Sequence, residues 1–379
     1  MAPKKTYYLH TLWMYPKMID KVATKVIAKY LEKGNMSRCL RDILPSSKLT
    51  LEQRDNVAEI VHDFIRWKKL YDHIIEERDI AKLPEIYVQL AVVKAQTGAK
   101  SLPFDYRYSC SGYVAKILKK RESLAKYLNE RPPTTLCSNL NKSSTKEVIN
   151  ILNEEKLPAS LSKLETAVLT TSNGRYSSAI KNRYAHVQDE SSQLISYIAA
   201  NMGDNILDFC AGNGGKSLTM ASITRNKKNL HSYDLNLKKR TTIRQRSMEY
   251  NANLVVEDKP PKKKFDVILV DAPCTGIGAA RRNPEAKYVE GPGDFPQIQF
   301  GILNDAARMI NDEGIILYSI CTITPEETKD VVEKFSKQKN FKIIGLNNHP
   351  YSELLIKNKY GAFTNIPGGD LFFISMLQE

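Results

Sequence analysis

From residue 186 onward the sequence alternates short apolar runs with helical stretches, and this alternation restricts the fold more than any other feature. Two of the apolar runs are FDVILVD (265–271) and GIILYSIC (314–321). The others are NILDFC (205–210), NLHSYD (229–234), ANLVV (252–256), FKIIGL (341–346) and LFFISML (371–377). Apolar strands separated by helices predict a mostly parallel, doubly wound α/β sheet. In such a sheet, ligands bind beyond the carboxyl ends of the strands.

Reactive side chains collect at those predicted strand ends. Five residues lie at or just after the end of an apolar run: Cys210, Asp234, Asp271, Cys274 and Cys321. A buried, inert cysteine is a good explanation for either Cys274 or Cys321 taken alone. It explains poorly why two strands each carry a cysteine at the edge where ligands bind. We therefore expect both to belong to a functional site.

A glycine-rich turn follows the first of these strands in ILDFCAGNGGKS (206–217). Glycines allow the backbone to approach a ligand closely, and the helix that follows offers free amide donors at its N-terminus. Neither the dinucleotide pattern Gly-x-Gly-x-x-Gly nor a phosphate-binding loop is present. Asp234 ends the next strand, where a carboxylate can accept both hydroxyls of a ribose. A ribose site without a pyrophosphate site favours S-adenosylmethionine over NAD.

The first 130 residues have the pattern of a separate, all-α domain. Apolar residues recur every three or four positions in VAEIVHDFIRWKKLYDHII (57–75), which is typical of an amphipathic helix. The prolines of NERPPTT (129–135) mark a break. We predict a helical domain over 1–130, a small α+β segment over 131–185 and a Rossmann-like domain over 186–379.

The net charge of +14 is concentrated in the N-terminal third of the chain. Residues 1–131 contain 25 Lys and Arg against 15 Asp and Glu. A basic surface attracts phosphate backbones through counterion release, so nucleic acid is the first partner to consider. Lys68 and Lys69 lie near the polar side of the 57–75 helix, where they could contact phosphates. A solvated helix face without a partner is an equally good explanation for either lysine.

Cysteine spacing and hydropathy exclude several classes of protein. The six cysteines show neither Cys-x-x-Cys nor Cys/His ligand spacing, so we expect no metal site. No apolar run reaches the roughly 18–20 residues that cross a bilayer. The basic start lacks the features of a secretory signal and leaves an organellar presequence open. We therefore expect a monomer with reduced thiols, located in the cytoplasm and not in a membrane.

Several motifs in a fixed order resemble those of one enzyme family. They are HVQDESSQLISY (186–197), LDFCAGNGGKS (207–217), DAPCTGIGAARRNPEAKY (271–288), QFGIL (299–303), YSICTITPEE (318–327) and GGDLFF (368–373). In sequence and spacing these resemble the Sun/Fmu-type RNA (cytosine-5) methyltransferases, the RsmB/NSUN group, over roughly residues 132–379. The 1–130 region is more loosely similar to the NusB-like RNA-binding domain of bacterial members.

The resemblance implies a class I methyltransferase fold, with an RRM-like middle segment and a NusB-like N-terminal domain. It also implies that S-adenosylmethionine is bound by a defined set of residues: Cys210, Ala211, Gly212, Asn213, Gly214, Gly215, Lys216, Asp234, Asp258 and Asp271. Glu257 is an alternative to Asp258 as the partner of the adenine amine. Lys239 and Arg240 are alternatives for a conserved basic position after Asp234. Arg281 and Arg282 are expected to contact RNA phosphates.

The family chemistry gives each cysteine a reason to be present. Carbon 5 of cytosine is too weak a nucleophile to take a methyl group until a thiolate has added at carbon 6. The resemblance implies that Cys321 attacks and that Cys274 assists release of the product. DNA cytosine-5 methyltransferases attack with the cysteine after proline, so Cys274 is the alternative nucleophile. Asp271 is expected to hydrogen-bond the cytosine edge, or else to cap a helix or contact the ribose, and Lys216 to lower the thiol pKa or bind the base.

The expected activity is therefore methylation of RNA at carbon 5 of cytosine, with ribosomal RNA favoured over transfer RNA as substrate. A base inside a duplex hides carbon 6, so the target must be single-stranded or flipped out. A non-catalytic RNA-binding assembly factor with the same fold is the alternative from another class. The presence of Cys274, Cys321 and Asp271 together argues against it.

Overall fold

The structure, a computed structural model, describes residues 17–95, 101–346 and 349–379. The chain divides into two compact units. The helical unit contains the described residues up to Glu130 and the segment Ala280–Gly291, and the sheet unit contains Arg131–Ala279 and Pro292–Glu379. The prediction had assigned 280–291 to the 186–379 domain and had separated 131–185 from it. The structure groups 280–291 with the helical unit and 131–185 with the sheet unit, where the latter keeps a sheet and an apolar cluster of its own, so the predicted domain limits stay a prediction.

The helical unit is built around one long amphipathic helix. Its helices are α1 (Lys17–Lys33), α2 (Met36–Ile43), α3 (Leu51–Glu77), α4 (Pro84–Val92), α5 (Phe104–Arg107), α6 (Gly112–Leu118) and α7 (Glu122–Leu128). Helix α3 begins with a capping box between Thr50 and Gln53, which satisfies two amides that would otherwise lack partners. Its apolar stripe, which includes Val57 and Phe64, is buried against α1 and α4.

The segment Ala280–Gly291 is held in the helical unit by a buried lysine. The Nζ atom of Lys287 donates to the carbonyl oxygens of Arg66 at 2.7 Å and Tyr108 at 3.2 Å, and to Oδ1 of Asn129. An ammonium group has three protons, and here each has an acceptor. Burial lowers the pKa of Lys287 to about 7. The next residue, Tyr288, donates to the carbonyl of Ile65 at 2.8 Å.

The sheet unit contains a small antiparallel sheet. Its elements are β1 (Thr134–Ser138), α8 (Thr145–Glu154), β2 (Ala159–Leu161), β3 (Ala167–Thr170), α9 (Ser178–Lys181) and β4 (Ala185–Val187). The strand order is β2-β3-β1-β4. Strand β4 extends this sheet past the predicted limit at residue 185. Glu190 accepts hydrogen bonds from Ser162 and from the amides of Lys163 and Leu164.

The second sheet of this unit has nine strands and is parallel at its centre. Its elements are α10 (Glu190–Ala200), β5 (Asn205–Asp208), α11 (Gly215–Ile223), β6 (Asn229–Ser232), α12 (Leu237–Glu249), β7 (Leu254–Val256), β8 (Phe265–Asp271), α13 (Phe295–Ala307), β9 (Ile310–Ile320), α14 (Lys329–Lys339), β10 (Lys342–Ile344), β11 (Leu355–Asn358), β12 (Gly361–Thr364) and β13 (Phe373–Gln378). The order is β11-β12-β13-β9-β8-β5-β6-β7, with β10 beside β13. Strands β5 to β9 pair in parallel, whereas β10 to β13 pair antiparallel. The predicted Rossmann-like fold is confirmed.

Both faces of the central strands are covered by apolar clusters. Val267 and Leu269 of β8 belong to one cluster, whereas Ile268 and Val270 belong to the other. Successive side chains of a strand point to opposite faces, so a strand buried on both sides has a continuous apolar sequence. Within the described ranges, no helix combines the length and the apolar character that crossing a bilayer requires.

Candidate active site

The two cysteines singled out by the sequence lie side by side. Sγ of Cys274 is 3.4 Å from Sγ of Cys321, and both side chains are partly exposed. The register of the parallel strands β8 and β9 explains this, because Asp271 pairs with Ser319 and each cysteine follows within three residues. The hydrogen bond with Cys274, and then burial, raise the pKa of Cys321 well above its usual value.

Main-chain contacts also hold the two cysteine-bearing loops together. The amide of Gly278 donates to the carbonyl of Cys321 at 3.0 Å, and the amide of Leu371 donates to the carbonyl of Gly278 at 3.0 Å. A Cβ atom at position 278 would lie 2.0 Å from the oxygen of Leu371. Glycine is therefore required here by close approach of the backbone and not by its dihedral angles.

Lys216 and Asp271 form a buried ion pair beside the cysteines. Nζ of Lys216 is 2.5 Å from Oδ2 of Asp271, and Ser319 donates to the other oxygen at 3.3 Å. Lys216 lies in the first turn of α11 and is 9% exposed. Burial lowers its pKa, but the attraction and hydrogen bond of Asp271 more than offset this, so that the pKa is raised overall. The lysine therefore carries its charge at neutral pH.

A cleft of about 240 Å³ opens beside this ion pair at the carboxyl end of β5. Seven of the residues predicted to bind the cofactor line it: Cys210, Ala211, Gly212, Asn213, Gly215, Lys216 and Asp271. Gly214 does not line the cleft, because it begins α11 with φ of +81° and packs against Ile243. Burial raises the pKa of Cys210, so this third thiol is the neutral form at physiological pH.

Three lining residues were not predicted: Gln188, Ser192 and Asp208. Asp208 is fully buried, and burial raises its pKa to about 7. Its Oδ2 accepts from Ser217 at 2.6 Å, whereas its Oδ1 has no hydrogen-bond donor among the described residues. A buried carboxyl oxygen without a donor needs an explanation, such as a proton of its own, a water molecule or a ligand in the cleft. The signal in the sequence was an aspartate ending an otherwise apolar run.

The remaining predicted cofactor ligands lie outside the cleft lining. Asp234 accepts from the amide of Gly212 at 2.9 Å, so it supports the glycine-rich turn. Lys239 approaches the same carboxylate at 3.4 Å, whereas Arg240 donates to the main-chain carbonyl of Asp234 at 2.7 Å. Asp258 is exposed and pairs with Arg244 at 2.7 Å. Its contact with an adenine stays a prediction.

Glu257, the alternative to Asp258 as the partner of the adenine amine, is already bonded to His231. Glu257 bonds the ring of His231 at 2.8 Å and lies 3.7 Å from Lys263. Burial lowers the pKa of His231, with the bond to Glu257 acting in the opposite direction. Glu257 is thus already engaged within β6 and the loop after β7.

Arg281, for which an RNA contact was predicted, is buried, and that contact stays a prediction. Its side chain is 3% exposed, lies 4.3 Å from the ring centre of Tyr127 and is 3.8 Å from the carboxylate of Glu130. The physical reason is that residues 280–291 pack inside the helical unit. Arg282 is half-buried, and its contact with RNA stays a prediction.

The two lysines of α3 are already engaged in ion pairs. Lys68 lies 2.7 Å from Asp72, and Lys69 lies 2.5 Å from Asp105. An ion pair reduces the charge that a lysine presents to a phosphate, and it would have to open or share its lysine on RNA binding. The predicted phosphate contacts of these lysines remain untested.

This chain is similar in sequence to known ribosomal RNA methyltransferases. Residues 195–378 match the family described as 16S rRNA methyltransferase RsmB/F. A probable ribosomal RNA small subunit methyltransferase B of Bacillus subtilis is 33% identical over 171 residues, which is 42% of this chain and 38% of that protein. The Coxiella burnetii protein of the same name is 29% identical over 279 residues, 68% of this chain and 64% of that one. The chain thus spans less than two thirds of the length of either relative.

A solved structure agrees over nearly the whole chain. The crystal structure of PH0851 superposes with a TM-score of 0.80, covers 96% of this chain and 99% of its own, and is 18% identical in sequence. At that identity the similarity establishes the fold. The family match covers residues 195–378, which include the glycine-rich turn of the cleft and both cysteines. Residues 195–378, slightly less than half of this chain, are thus similar to the RsmB/F methyltransferase family.

Proposed function

We propose that this protein is an S-adenosylmethionine-dependent RNA methyltransferase that modifies carbon 5 of cytosine, with ribosomal RNA as its substrate. The observation that carries the proposal is the pair of thiols, Cys274 and Cys321, with their sulfurs 3.4 Å apart beside the Lys216–Asp271 ion pair. Methylation at carbon 5 needs one group to add to the ring and another to assist release. Two adjacent sulfurs fit that requirement.

The cleft offers a carboxyl group and an open glycine-rich turn that fit S-adenosylmethionine. Asp208 offers a buried carboxylate oxygen for an ammonium group, and the open backbone at Gly212 allows a ligand to approach closely. Asp234 supports that turn by accepting a hydrogen bond from the amide of Gly212. When bound there, S-adenosylmethionine supplies a methyl group on a positively charged sulfur, which is the electrophile of the reaction. Asp208 and the glycine-rich turn would bind and orient it.

Cys321 is assigned the covalent step. Its thiol gives its proton to water, Sγ forms a bond to carbon 6 of the cytosine, and the electrons of the broken 5,6 π bond move to carbon 5. The neighbouring charge of Lys216 favours the thiolate, although the pKa of Cys321 is raised overall. Asp271 holds Lys216 in place and has a free edge, 27% exposed, for hydrogen bonds to the pyrimidine.

Cys274 is assigned the release step. Once carbon 5 carries the methyl group, its proton must be removed and the bond between Sγ of Cys321 and carbon 6 must break. Sγ of Cys274 lies 3.4 Å from the departing sulfur, and in its thiolate form it accepts that proton from carbon 5 and becomes a thiol. The electrons of the C–H bond then re-form the 5,6 double bond, and Cys321 leaves as thiolate.

Ribosomal RNA is the proposed substrate because the matching family and both relatives are named for it. The net charge of +14 fits a polyanionic partner. The target cytosine must be unpaired or flipped out, since neither sulfur can reach carbon 6 within a stacked duplex.

The test is transfer of a labelled methyl group from S-adenosylmethionine to total RNA, followed by separation of ribosomal from transfer RNA. The wild type should label ribosomal RNA at 5-methylcytosine. Cys321→Ala should abolish labelling, and Cys274→Ala should accumulate a protein–RNA adduct that survives denaturing electrophoresis. An adduct in the Cys321 variant instead would reverse the two roles. Absence of labelling in every RNA fraction would refute the enzymatic function and leave an RNA-binding factor.

A further inference from the structure

Glu327 is a fully buried carboxylate that lies behind the cysteine pair and has no role in the steps above. Its Oε1 accepts from the amide of Thr275 at 2.9 Å and from Nε2 of Gln299 at 3.0 Å. Its Oε2 accepts from the hydroxyls of Thr275 at 2.6 Å and Thr324 at 2.8 Å. Four donors therefore converge on one side chain, and all four are uncharged. Each oxygen of the carboxylate therefore accepts two hydrogen bonds, which is as many as it has lone pairs.

The donors come from both cysteine-bearing loops. Thr275 directly follows Cys274, and Thr322 directly follows Cys321. The hydroxyl oxygens of Thr275 and Thr322 are 2.7 Å apart. Since the single hydroxyl proton of Thr275 goes to Glu327, Thr322 must be the donor in its bond to Thr275. A directed chain therefore runs from Thr322 through Thr275 to Glu327 and connects the two loops one residue beyond each sulfur.

Helix α13 adds a third connection to the same point. Nε2 of Gln299 donates both to Glu327 and to the carbonyl of Pro273 at 2.9 Å. Pro273 precedes Cys274, so the loop is fixed on both sides of its sulfur. Gln299 is itself fully buried. Both acceptors of its amide nitrogen are main-chain or carboxylate oxygens, whereas its Oε1 has no donor among the described residues. Buried hydrogen-bond networks of this kind fix the geometry of the groups they join.

We propose that Glu327 is a positioning residue that sets the separation of Cys274 from Cys321 and thereby the rate of product release. This rests on the proposed function, in which Cys321 attacks and Cys274 completes the reaction. Formation of the bond to carbon 6 needs Cys321 alone, whereas release needs both sulfurs at the same pyrimidine. Loosening the connection between the loops should therefore slow release more than addition. The signature is accumulation of the covalent adduct with Cys274 still present.

A matched pair of variants separates positioning from general stability. Thr275→Val removes a hydroxyl bond to Glu327 that joins the two loops, whereas Thr324→Val removes a hydroxyl bond to the same oxygen from within the Cys321 loop. Both threonines are buried, and the substitutions are the same. Each variant is compared with the wild type for thermal midpoint, steady-state methyl transfer, and the fraction of enzyme trapped as adduct.

Thr275→Val is expected to lower turnover by about tenfold or more, since small misplacements of reacting groups have effects of that size, and to trap adduct. Thr324→Val should trap none beyond the wild-type amount. Glu327→Gln should restore release relative to Glu327→Ala. Its oxygen can still accept from Thr275 N and Gln299, and the two threonine hydroxyls can rotate to accept from its amide group.

The outcomes distinguish this inference from the proposed function. If Cys274→Ala traps adduct but Thr275→Val and Glu327→Ala do not, Glu327 is a structural residue and the inference is wrong. Equal trapping by Thr275→Val and Thr324→Val would also overturn it, because loss of stability alone would then explain the effect. If Cys274→Ala itself traps no adduct and the wild type transfers no methyl group, the proposed function has failed instead.

Discussion

Replacing Gly278 by alanine should displace the Cys274 loop, which Gly278 joins to Cys321 and to Leu371, by a known amount. The added Cβ would lie 2.0 Å from the oxygen of Leu371 and 3.0 Å from the oxygen of Cys321. Real Cβ atoms do not approach backbone oxygens to less than 3.0 Å, so the chain at 278 must move by about 1 Å. That movement breaks two main-chain hydrogen bonds of 3.0 Å each, at about 1 kcal/mol apiece.

The larger effect should be on catalysis. A displacement of about 1 Å in a reacting group costs on the order of 100-fold in rate, so Gly278→Ala should lower methyl transfer by about that factor. The predicted loss of unfolding free energy is only about 2 kcal/mol. The assay compares methyl transfer at saturating S-adenosylmethionine and RNA with urea unfolding of the same preparation.

Gly301→Ala is the matched control. Gly301 lies in α13, and a Cβ there would have no atom within 4 Å. Alanine in a helix interior is favoured over glycine by about 0.5–1 kcal/mol, so this variant should be as active as the wild type and slightly more stable. If Gly278→Ala retains activity within about threefold, the close approach of the two loops does not control the chemistry, and the reasoning is refuted.

Three further predictions concern buried charges. Because the pKa of Lys287 is lowered to about 7, the folded chain binds fewer protons than the unfolded chain between pH 7 and about 10.4. The free energy of unfolding should therefore rise with pH across that range, by at most about 1.4 kcal/mol per pH unit. Urea titrations at several pH values should show that Lys287→Met flattens this dependence. Lys216→Met should leave Asp271 without its partner, lower the unfolding free energy by about 3 kcal/mol and abolish methyl transfer, whereas retention of activity would exclude Lys216 from the site. Asp208→Asn should weaken binding of S-adenosylmethionine by about tenfold in equilibrium dialysis at pH 8, and unchanged binding would show that its free oxygen serves no ligand.

The central sheet could be predicted because its strands are buried on both faces. FDVILVD became β8 over Phe265–Asp271, and GIILYSIC ended within one residue of β9. Such strands have an uninterrupted apolar sequence that few other structures share. The hairpin of β11 (Leu355–Asn358) and β12 (Gly361–Thr364) was missed. It is short, and Ile356 is 58% exposed, so its sequence has neither the length nor the continuous apolar character of the central strands.

The site residues that could be predicted are reactive side chains whose position is set by the strand they follow. Cys274 and Cys321 stood out because both follow strands that a parallel sheet brings to one edge. The burial of Arg281 could not be predicted, because it depends on the packing of the 280–291 segment in the helical unit, which no local pattern reveals. Glu327 was not found for a similar reason, since its donors Thr275 and Gln299 are 52 and 28 residues away along the chain.

The two cysteines are anchored in different ways, and this favours the roles proposed for them. Cys321 directly follows Ile320, the last residue of β9, and its carbonyl is held by Gly278. Cys274 lies three residues beyond β8, after Pro273, in a loop whose position depends on side-chain hydrogen bonds. A nucleophile that must meet carbon 6 along one direction gains most from the rigid strand end. The group that removes the proton acts after the methyl group has arrived, and the hydrogen bonds of Thr275 and Pro273 hold it 3.4 Å from the departing sulfur at that step.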